Sequence, residues 1–596
     1  MLIFMGGGIM MKDRIIELKN TAETRIKDEN SRYSMISFLR LISFLSAVVL
    51  FFLGFSKTNL IFILGGAAAF IIFIVFVKLH SEISKRIKHD EVYISVLDRY
   101  IARIDGNWNN GSDSGMDFVI PEDTLSYDID LIGKGSLFQY ISIAHSKEGR
   151  RKLADIITLK KNVLQDRNDR FEAISELAEK DDFRYEFETL SSKSEENFKD
   201  VVELDKKLPG ALYVLMAVVP IMTVLSLIYV FVFGANPAFI LLSFILGLMF
   251  TWLPKATLDN YILPVSSYGN VAEDYYEVLG ELEKVDFKSK IMMNLKDRVT
   301  GDKGILEAIR SMQRIGDLAN ISFNPIIHML LAGFFGWDIY LAHIAQRWMT
   351  KHKGVFDECR NIIADIEELG SFAVLMSLRD TCEPSVTDEI KIEFEDLYHP
   401  LIPADRVVSN SAKLDNKITI ITGSNMSGKT TFLRAVAVNT VLCYVGCGVC
   451  AKSFSVPVMK LFTSMRVMDD IAGGISTFYA EILRIKSMAD YVESDAEIPA
   501  LCLIDEIFKG TNSADRIVGA EEAVKKLSAG NCMVMLTTHD FELCDIEAAD
   551  GKKADNYHFE EYYEDDTVKF DYRIKDGRCK TRNALALLKM AGIVKN

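Results

Sequence analysis

The eight residues from Gly423 to Thr430 have the types and spacing of a phosphate-binding loop. Their sequence, GSNMSGKT, fits the pattern G-x-x-x-x-G-K-[ST]. The apolar run Ile418–Ile421 before the loop predicts a buried strand, and the residues from Thr431 onward predict the start of a helix. A strand, a glycine-containing loop and a helix in this order direct backbone N–H groups and a helix N-terminus at a polyphosphate.

The same loop indicates which cofactors to expect. In such a loop Lys429 neutralises the β- and γ-phosphates, and Thr430 supplies a hydroxyl ligand for Mg²⁺. We therefore expect the chain to bind ATP and Mg²⁺. The residues expected to contact the nucleotide from this segment are Gly423, Ser424, Asn425, Met426, Ser427, Gly428, Lys429, Thr430 and Thr431.

An acidic pair follows a second apolar run about 75 residues after the loop. The run Ala500–Ile504 predicts a strand, and Asp505 and Glu506 come directly after it. At the end of a neighbouring parallel strand, one carboxylate can hold the metal and the other can polarise the attacking water. We expect Asp505 to be a metal ligand together with Thr430, and Glu506 to be the general base. The alternative is an exposed strand end without a catalytic role.

A third apolar run, Cys532–Thr537, is followed closely by His539. If this strand joins the same sheet, the imidazole lies near the γ-phosphate, where it can sense or orient the attacking water. The alternative is a structural histidine. The expected catalytic residues of an ATPase are thus Lys429, Glu506 and His539.

These segments also resemble the MutS family of DNA mismatch-repair ATPases. The resemblance runs from about residue 125 to the end of the chain and is most specific over 396–596. It implies an α/β ATPase domain of the ABC type, preceded by a mostly α-helical region like the MutS core. The segments that carry it are Asp130–Phe138, Gly149–Leu153, Leu397–Pro400, Ile421–Phe432, Ser476–Glu481, Asp505–Ser513, Thr537–Leu543, Phe570–Arg573 and Asn583–Leu585.

The resemblance further implies a homodimer. In this family the serine of the Ser-Thr-Phe segment reaches the nucleotide of the partner subunit, so Ser476 would bind nucleotide in trans. The alternative is that Ser476 caps a helix and that Glu481 lies on the exposed face of that helix.

The chain also departs from the family pattern. Ser424 and Ser427 occupy positions where the family usually has Pro and Gly, but neither change removes a group that binds phosphate or metal. The aromatic residue that stacks on adenine, expected shortly after His399-Pro400, has no clear counterpart before Asn416.

Uncharged apolar runs predict membrane spans, which the repair enzymes lack. These runs are Leu41–Ser56, Thr58–Val77 and Leu208–Pro254, the last of which is broken at Gly234–Pro237. Since about 20 apolar residues cross a bilayer, we expect four spans arranged as two hairpins. The alternative is that these runs form buried core helices of a soluble protein.

A further apolar run, Pro325–Ala345, contains Asp338 and His343. A fifth span would place the ATPase domain outside the cytoplasm, so we expect this run to form a buried helix of the soluble part. Lysine and arginine residues flank the four expected spans on one side, which predicts a multi-pass protein of the cytoplasmic (inner) membrane. Both termini and the ATPase domain would then be cytoplasmic.

The expected organisation has six parts. They are a cytoplasmic N-terminal tail (1–34), a transmembrane hairpin (35–80), the first part of the helical core (81–207), a second transmembrane hairpin (208–254), a helical core or lever region (255–385) and the ATPase domain (386–596). About 34 residues before the first span are too few for a mismatch-reading domain. We therefore expect no mismatch recognition of the usual kind.

Composition bears on the partners. The net charge of -15 over 596 residues argues against strong non-specific binding of DNA.

The nine cysteines lack paired spacing, which predicts free thiols in a reducing compartment. We interpret Cys443, Cys447 and Cys450 as core residues rather than zinc ligands.

Two classes of function fit these observations. The first is a membrane-anchored, MutS-like ATPase that works as a dimer and couples ATP hydrolysis to a clamp-like movement, with DNA as a possible partner. The second is an ATP-driven membrane transport, signalling or scaffold protein without a role in DNA metabolism. Membrane lipid is a partner in both, and other protein partners are unknown.

Overall fold

The computed structural model describes residues 2–57, 59–110, 113–194, 208–302, 304–466, 477–494, 496–509, 512–564 and 567–579. The N-terminal part is mostly helical and the C-terminal part is an α/β domain with mixed sheets, as predicted. The helices are α1 (Leu2–Ser56), α2 (Leu60–Ile104), α3 (Thr124–Asp128), α4 (Leu137–Ile141), α5 (Lys147–Ile157), α6 (Arg167–Glu179), α7 (Asp181–Ser194), α8 (Gly210–Phe233), α9 (Ala238–Trp252), α10 (Lys255–Gly280), α11 (Lys290–Thr300), α12 (Leu306–Asn320), α13 (Pro325–Phe335), α14 (Trp337–Lys351), α15 (Val355–Leu378), α16 (Lys429–Tyr444), α17 (Thr477–Glu493) and α18 (Ser513–Ser528). The strands are β1 (Ser385–Thr387), β2 (Ile392–Leu397), β3 (Asn410–Leu414), β4 (Ile418–Thr422), β5 (Ser453–Pro457), β6 (Lys460–Ser464), β7 (Ala500–Asp505), β8 (Cys532–Thr538), β9 (Asp555–His558), β10 (Glu561–Glu564), β11 (Thr567–Phe570) and β12 (Lys575–Asp576).

The chain forms two compact units. The first unit comprises Met1–Ile143, Arg150–Asp181 and Glu368–Asn596, and the second comprises Ala144–Gly149 and Asp182–Glu367. The first unit therefore contains the α/β domain, and the second contains α8 to α14.

In the first unit, α1 and α2 form a long antiparallel pair. Residues 2–34, expected as a polar tail, belong to the first part of α1, and this part is held to α2 by ion pairs. Lys12 lies 2.6 Å from Asp105, and Lys19 lies 2.7 Å from Asp98. Toward the turn that joins the helices the contacts become apolar, and many of the large side chains there are exposed. The pair thus has a polar end and an apolar end.

A six-stranded sheet forms the centre of the α/β domain. Its strand order is β12-β9-β4-β8-β7-β6, and all neighbours are parallel except β12 and β9. Every residue of β4, β7 and β8 is buried, as expected for parallel strands covered on both faces. The register pairs Thr422 with Thr538 and Asp505 with Thr537, which brings the carboxyl ends of the three predicted strands together.

A helical hairpin, α8 and α9, is the most apolar feature of the second unit. Gly234 ends α8 in the left-handed conformation, with φ of 68°, and allows the chain to reverse. The base of the hairpin packs on α10 and α14 through Leu212, Tyr261 and Ile339, whereas most large side chains further along α8 and α9 are exposed.

Length and composition identify three described helices that could each cross a membrane. These helices are Met10–Gly54, Leu60–Ile104 and Gly210–Phe233. Two further pairs of helices, α9 with α10 and Leu306–Phe323 with α13, pass the same test when each pair is taken together, but the pairs are bent by 75° and 106°. The apolar content is compatible with membrane association.

The prediction of one buried helix over Pro325–Ala345 is correct only for the burial of its second part, where Ile339, Leu341 and Ala345 are buried. The chain breaks at Gly336, which has φ of 65°, into two helices, α13 and α14. The apolar side chains of α13 are largely exposed rather than buried, and Ile326 is 68% exposed. An apolar composition alone does not determine whether the side chains of a helix are buried or exposed.

Candidate functional site

The loop between β4 and α16 has a backbone that requires glycine at both ends. Gly423 has φ of 150°, and a Cβ atom there would lie 2.8 Å from the carbonyl oxygen of Phe559. Gly428 has φ of 108° and immediately precedes the first residue of α16. The loop therefore wraps the N-terminus of α16, whose free N–H groups favour a bound anion.

The side chain of Lys429, the first residue of α16, reaches back into this loop. Its Nζ atom donates hydrogen bonds to the carbonyl oxygens of Gly423 at 2.7 Å and Ser424 at 2.8 Å. Burial lowers the pKa of the Lys429 ammonium, and the carboxylates of Glu506 and Asp505 oppose this shift. The lysine is thus positioned to meet phosphate charge at the loop.

The predicted metal ligands are in direct contact. The Thr430 hydroxyl lies 3.0 Å from both carboxylate oxygens of Asp505, and Thr537 donates a second hydroxyl hydrogen bond to Oδ1 of Asp505 at 2.5 Å. A hydroxyl and a carboxylate beside a phosphate loop are hard oxygen donors of the kind that Mg²⁺ prefers. The residues present therefore fit this metal.

Glu506 extends the same edge of the sheet. Its backbone has φ of 56°, in the left-handed region, and its N–H donates to the carbonyl oxygen of Thr537 at 3.0 Å. Nδ1 of His539 lies 3.8 Å from Oε1 of Glu506, and Nζ of Lys509 lies 3.5 Å from Oε2. A backbone held in a sparsely populated conformation is typical of functional sites.

A salt bridge that no sequence motif predicts fixes the loop after β8. Arg516, in α18, makes two contacts of 2.8 Å with the carboxylate of Asp540, the residue after His539. Both side chains are largely buried. Bidentate pairs of this kind fix geometry as well as charge, so α18 positions the loop that carries the imidazole.

The remaining loop residues differ in exposure. Asn425, Met426 and Thr431 are exposed, and Met426 has φ of 70°. Ser427 is buried, and its hydroxyl has no hydrogen-bond partner among the residues that the structure describes. An unpaired donor inside a phosphate loop is a further group that a bound anion could satisfy.

Ser424 has a partner that the sequence did not indicate. Its hydroxyl donates to Oε2 of Glu561 at 2.7 Å. Glu561 is 7% exposed, and its other oxygen, Oε1, has no partner within the described part of the chain. The hydroxyl at position 424 therefore compensates a buried carboxylate that borders the loop.

Two predictions about Ser476 and Glu481, near the start of α17, have different outcomes. Ser476 lies outside the described residues, so its expected role in trans stays a prediction. Glu481 is buried and accepts a hydrogen bond from the N–H of Phe508 at 2.6 Å, and burial raises its pKa. The alternative that Glu481 lies on an exposed helix face is wrong.

An aromatic side chain borders the loop at Gly428. A Cβ atom on Gly428 would lie 3.2 Å from the ring of Tyr572. Tyr572 has φ of 53°, and its carbonyl oxygen accepts a hydrogen bond from Asn410 at 3.1 Å. The resemblance predicts an aromatic residue before Asn416, whereas Tyr572 reaches the loop from the C-terminal end of the domain.

Together, the parallel sheet, the glycine-bounded loop and the Thr430–Asp505 contact define a nucleotide-binding α/β domain. The family model of MutS domain V matches residues 419–596. This part of the chain is therefore similar to the ATPase domain of MutS-family proteins. The match supports ATP binding and ATPase activity, with Mg²⁺ as the expected metal.

Proposed function

We propose that this protein is a membrane-anchored, MutS-like ATPase that hydrolyses ATP as a dimer. The observation that carries the proposal is the contact of Thr430 with Asp505 at the N-terminus of α16, with Glu506 beside it. The similarity of residues 419–596 to MutS domain V supports the same chemistry.

The residues have separate roles in this proposal. Lys429 and the N–H groups of the loop bind the β- and γ-phosphates, while Thr430 and Asp505 would hold Mg²⁺, which would supply positive charge to the phosphates. Glu506 accepts a proton from the attacking water, and His539 orients that water. Ser476 contacts the nucleotide of the partner subunit.

Anchoring rests on the two apolar hairpins. The exposed apolar side chains near the α1–α2 turn and along α8 and α9 would be costly in water but favourable in lipid. In the proposed topology both termini and the ATPase domain are cytoplasmic, because Lys and Arg are concentrated at the polar ends of the hairpins. Nucleotide-dependent dimer closure would then act on helices tied to the membrane.

A second candidate function is an ATP-driven membrane process without DNA. The net charge of -15 favours it, because DNA binding requires neutralisation of phosphates by Lys and Arg. The first candidate retains DNA as a partner on family similarity alone.

One experiment separates these candidates. The ATPase rate of the lipid-reconstituted protein is measured with and without duplex, mismatched and branched DNA at low salt, with Lys429→Ala as the control for contaminating ATPases. Stimulation that disappears at high salt supports a DNA-coupled clamp. A basal rate that no DNA changes supports the second candidate, and a rate equal to that of Lys429→Ala contradicts ATPase activity.

A further inference from the structure

The helix α13 exposes apolar side chains over much of its surface. Apart from His328, all of its residues are apolar or glycine or proline. The large side chains on or just before it that are exposed are Phe323, Ile326, Ile327, Met329, Leu330 and Phe335. A continuous apolar surface of this kind marks a contact with lipid or with another apolar surface.

Two polar side chains near α13, His328 and Asp338, pair with each other. From Ile321 to Gln346 the sequence contains one formally charged residue at neutral pH, Asp338. Its Oδ1 atom lies 2.7 Å from Nε2 of His328, and both side chains are mostly buried. Ionisable residues at membrane depth are tolerated when they pair in this way.

α13 packs directly on the apolar hairpin. The rings of Phe334 and Phe244 lie 4.8 Å apart, and the hydroxyl of Thr223 donates to the carbonyl oxygen of Phe334 at 2.8 Å. Gly247 and Gly333 approach so closely that a Cβ atom on Gly247 would lie 1.9 Å from the carbonyl oxygen of Gly333. Small residues at helix contacts are typical of packing within membranes.

The contact with Thr223 fixes the depth of α13 relative to α8. At 1.5 Å per residue, α8 is about 36 Å long, and Thr223 lies about 20 Å along it from Gly210. The hydrocarbon core of a bilayer is about 30 Å thick. Wherever a hydrocarbon core of about 30 Å lies along the roughly 36 Å of α8, it includes Thr223. A membrane crossed by α8 therefore also contains the C-terminal end of α13, which contacts Thr223.

From these contacts we infer that α13, which at 11 residues is too short to cross the bilayer, is inserted in the hydrocarbon core beside the α8–α9 hairpin and faces lipid acyl chains. The inference rests on the proposed anchoring of this hairpin in a membrane. The segment between α12 and α14, which was expected to belong to the soluble part, would thus contact lipid.

Lipid is the occupant that the surroundings favour. On α9, Leu241 and Ile245 lie within one helical turn of Phe244, the residue that packs on α13, and both are exposed. The apolar surface therefore continues from α13 onto the hairpin. If the hairpin spans the membrane, lipid already surrounds this surface, and no second protein is needed to cover it.

Three single-cysteine substitutions test the inference in the full chain. Ile326→Cys probes α13, Leu241→Cys probes the hairpin, and Lys351→Cys, at the far end of α14, is the exposed polar control. Each variant is labelled with an environment-sensitive fluorophore and reconstituted in phosphatidylcholine vesicles with or without spin-labelled lipid. The unsubstituted protein is the blank, because its nine cysteines are free thiols, all buried except the partly buried Cys382.

The inference predicts blue-shifted emission and quenching by spin-labelled lipid at positions 326 and 241, with neither at 351. Quenching at 241 but not at 326 overturns the inference while the proposed anchoring stands. An emission at 326 that is blue-shifted but insensitive to the lipid quencher also overturns it, since a second copy of the chain would then cover α13. Absence of quenching at 241 contradicts the proposed anchoring itself, and with it the inference.

Discussion

The Thr430 hydroxyl lies 3.0 Å from both carboxylate oxygens of Asp505, although the residues are separated by 75 positions in the sequence. The contact joins the first turn of α16 to the end of β7. Thr537, from β8, completes the group through its hydroxyl. Side chains from α16 and β8 therefore meet the carboxylate at the end of β7, and a substitution of Asp505 should affect the whole group.

Asp505→Asn should impair metal use. The substitution keeps the shape of the side chain but removes the charge that attracts Mg²⁺, so we expect turnover to fall by about 100-fold or more. The Mg²⁺ concentration required for half-maximal activity should rise. ATPase rates across a Mg²⁺ titration measure both effects, with Asp490→Asn, an exposed acid on α17, as the matched control. An unchanged Mg²⁺ requirement would show that Asp505 does not hold the metal.

Glu506→Gln should separate binding from hydrolysis. Glutamine retains the size of the side chain but cannot accept the proton, and general bases contribute roughly 10²–10⁴-fold to rate. We expect normal ATP affinity, measured by equilibrium binding, and turnover reduced by at least 100-fold. His539, which is 3.8 Å from Glu506, provides a comparison, because His539→Gln should reduce turnover less. Near-normal hydrolysis by Glu506→Gln would assign the base elsewhere.

The sequence predicted much of this site because its signals are local. The loop, the strand before it and the two further strands each follow from a short apolar run ended by glycine or by polar residues. Parallel strands in one sheet share a carboxyl edge, so Asp505 and His539 could be assigned to that edge without knowledge of the packing.

The parts that sequence reasoning missed depend on contacts between distant residues. Arg516 and Asp540 form a bidentate pair across 24 positions, and no spacing rule links them. The exposure of α13 was missed for a related reason, since an apolar run has the same composition whether its side chains are buried or exposed. The partner of Ser424, Glu561, lies 137 positions away.

The pair formed by Ser424 and Glu561 predicts a coupled effect on nucleotide binding. Ser424→Ala removes the donor and leaves an uncompensated buried carboxylate that borders the loop. We expect ATP affinity to fall by about tenfold, because this negative charge would repel the phosphates of the nucleotide. Glu561→Gln alone should have a smaller effect, and the double variant should recover most of the affinity. Binding constants from the four proteins of this cycle measure the coupling. Additive losses would contradict it.

A buried salt bridge in the first unit predicts a large effect on stability. Arg170 contacts the Glu368 carboxylate at 2.6 Å and 3.2 Å and donates to the carbonyl oxygen of Val445 at 2.7 Å. Glu368 is fully buried, so Arg170→Met would leave its charge unpaired. We expect a loss of about 3–5 kcal/mol in the free energy of unfolding.

Chemical denaturation in detergent measures this loss. Lys486→Met is the control, because it breaks an exposed pair with Asp490 and should change the free energy of unfolding by less than about 1 kcal/mol. Equal effects of the two substitutions would show that the buried pair is not a principal stabilising contact.

The buried side chain of His399 should make the protein less stable in mild acid. Burial lowers its pKa from 6.5 to about 4, and its Nδ1 atom lies 3.3 Å from the N–H of Leu401, which suits the neutral ring. Between these two pKa values the unfolded chain binds a proton that the folded chain does not. The contribution of neutral His399 to the free energy of unfolding is therefore fully present above pH 6.5 and is lost as the pH falls toward 4.

Between pH 7.5 and pH 5 this histidine should lower the free energy of unfolding by about 2 kcal/mol, since one pKa unit corresponds to about 1.4 kcal/mol. The nearby charges of Asp130 and Arg434 act in opposite directions and leave burial as the main cause. His399→Gln removes the titrating group, so its stability should vary less over this range than that of the unsubstituted protein. Chemical denaturation of both proteins at the two pH values makes the comparison. The same pH dependence in both would show that other groups are responsible for acid sensitivity.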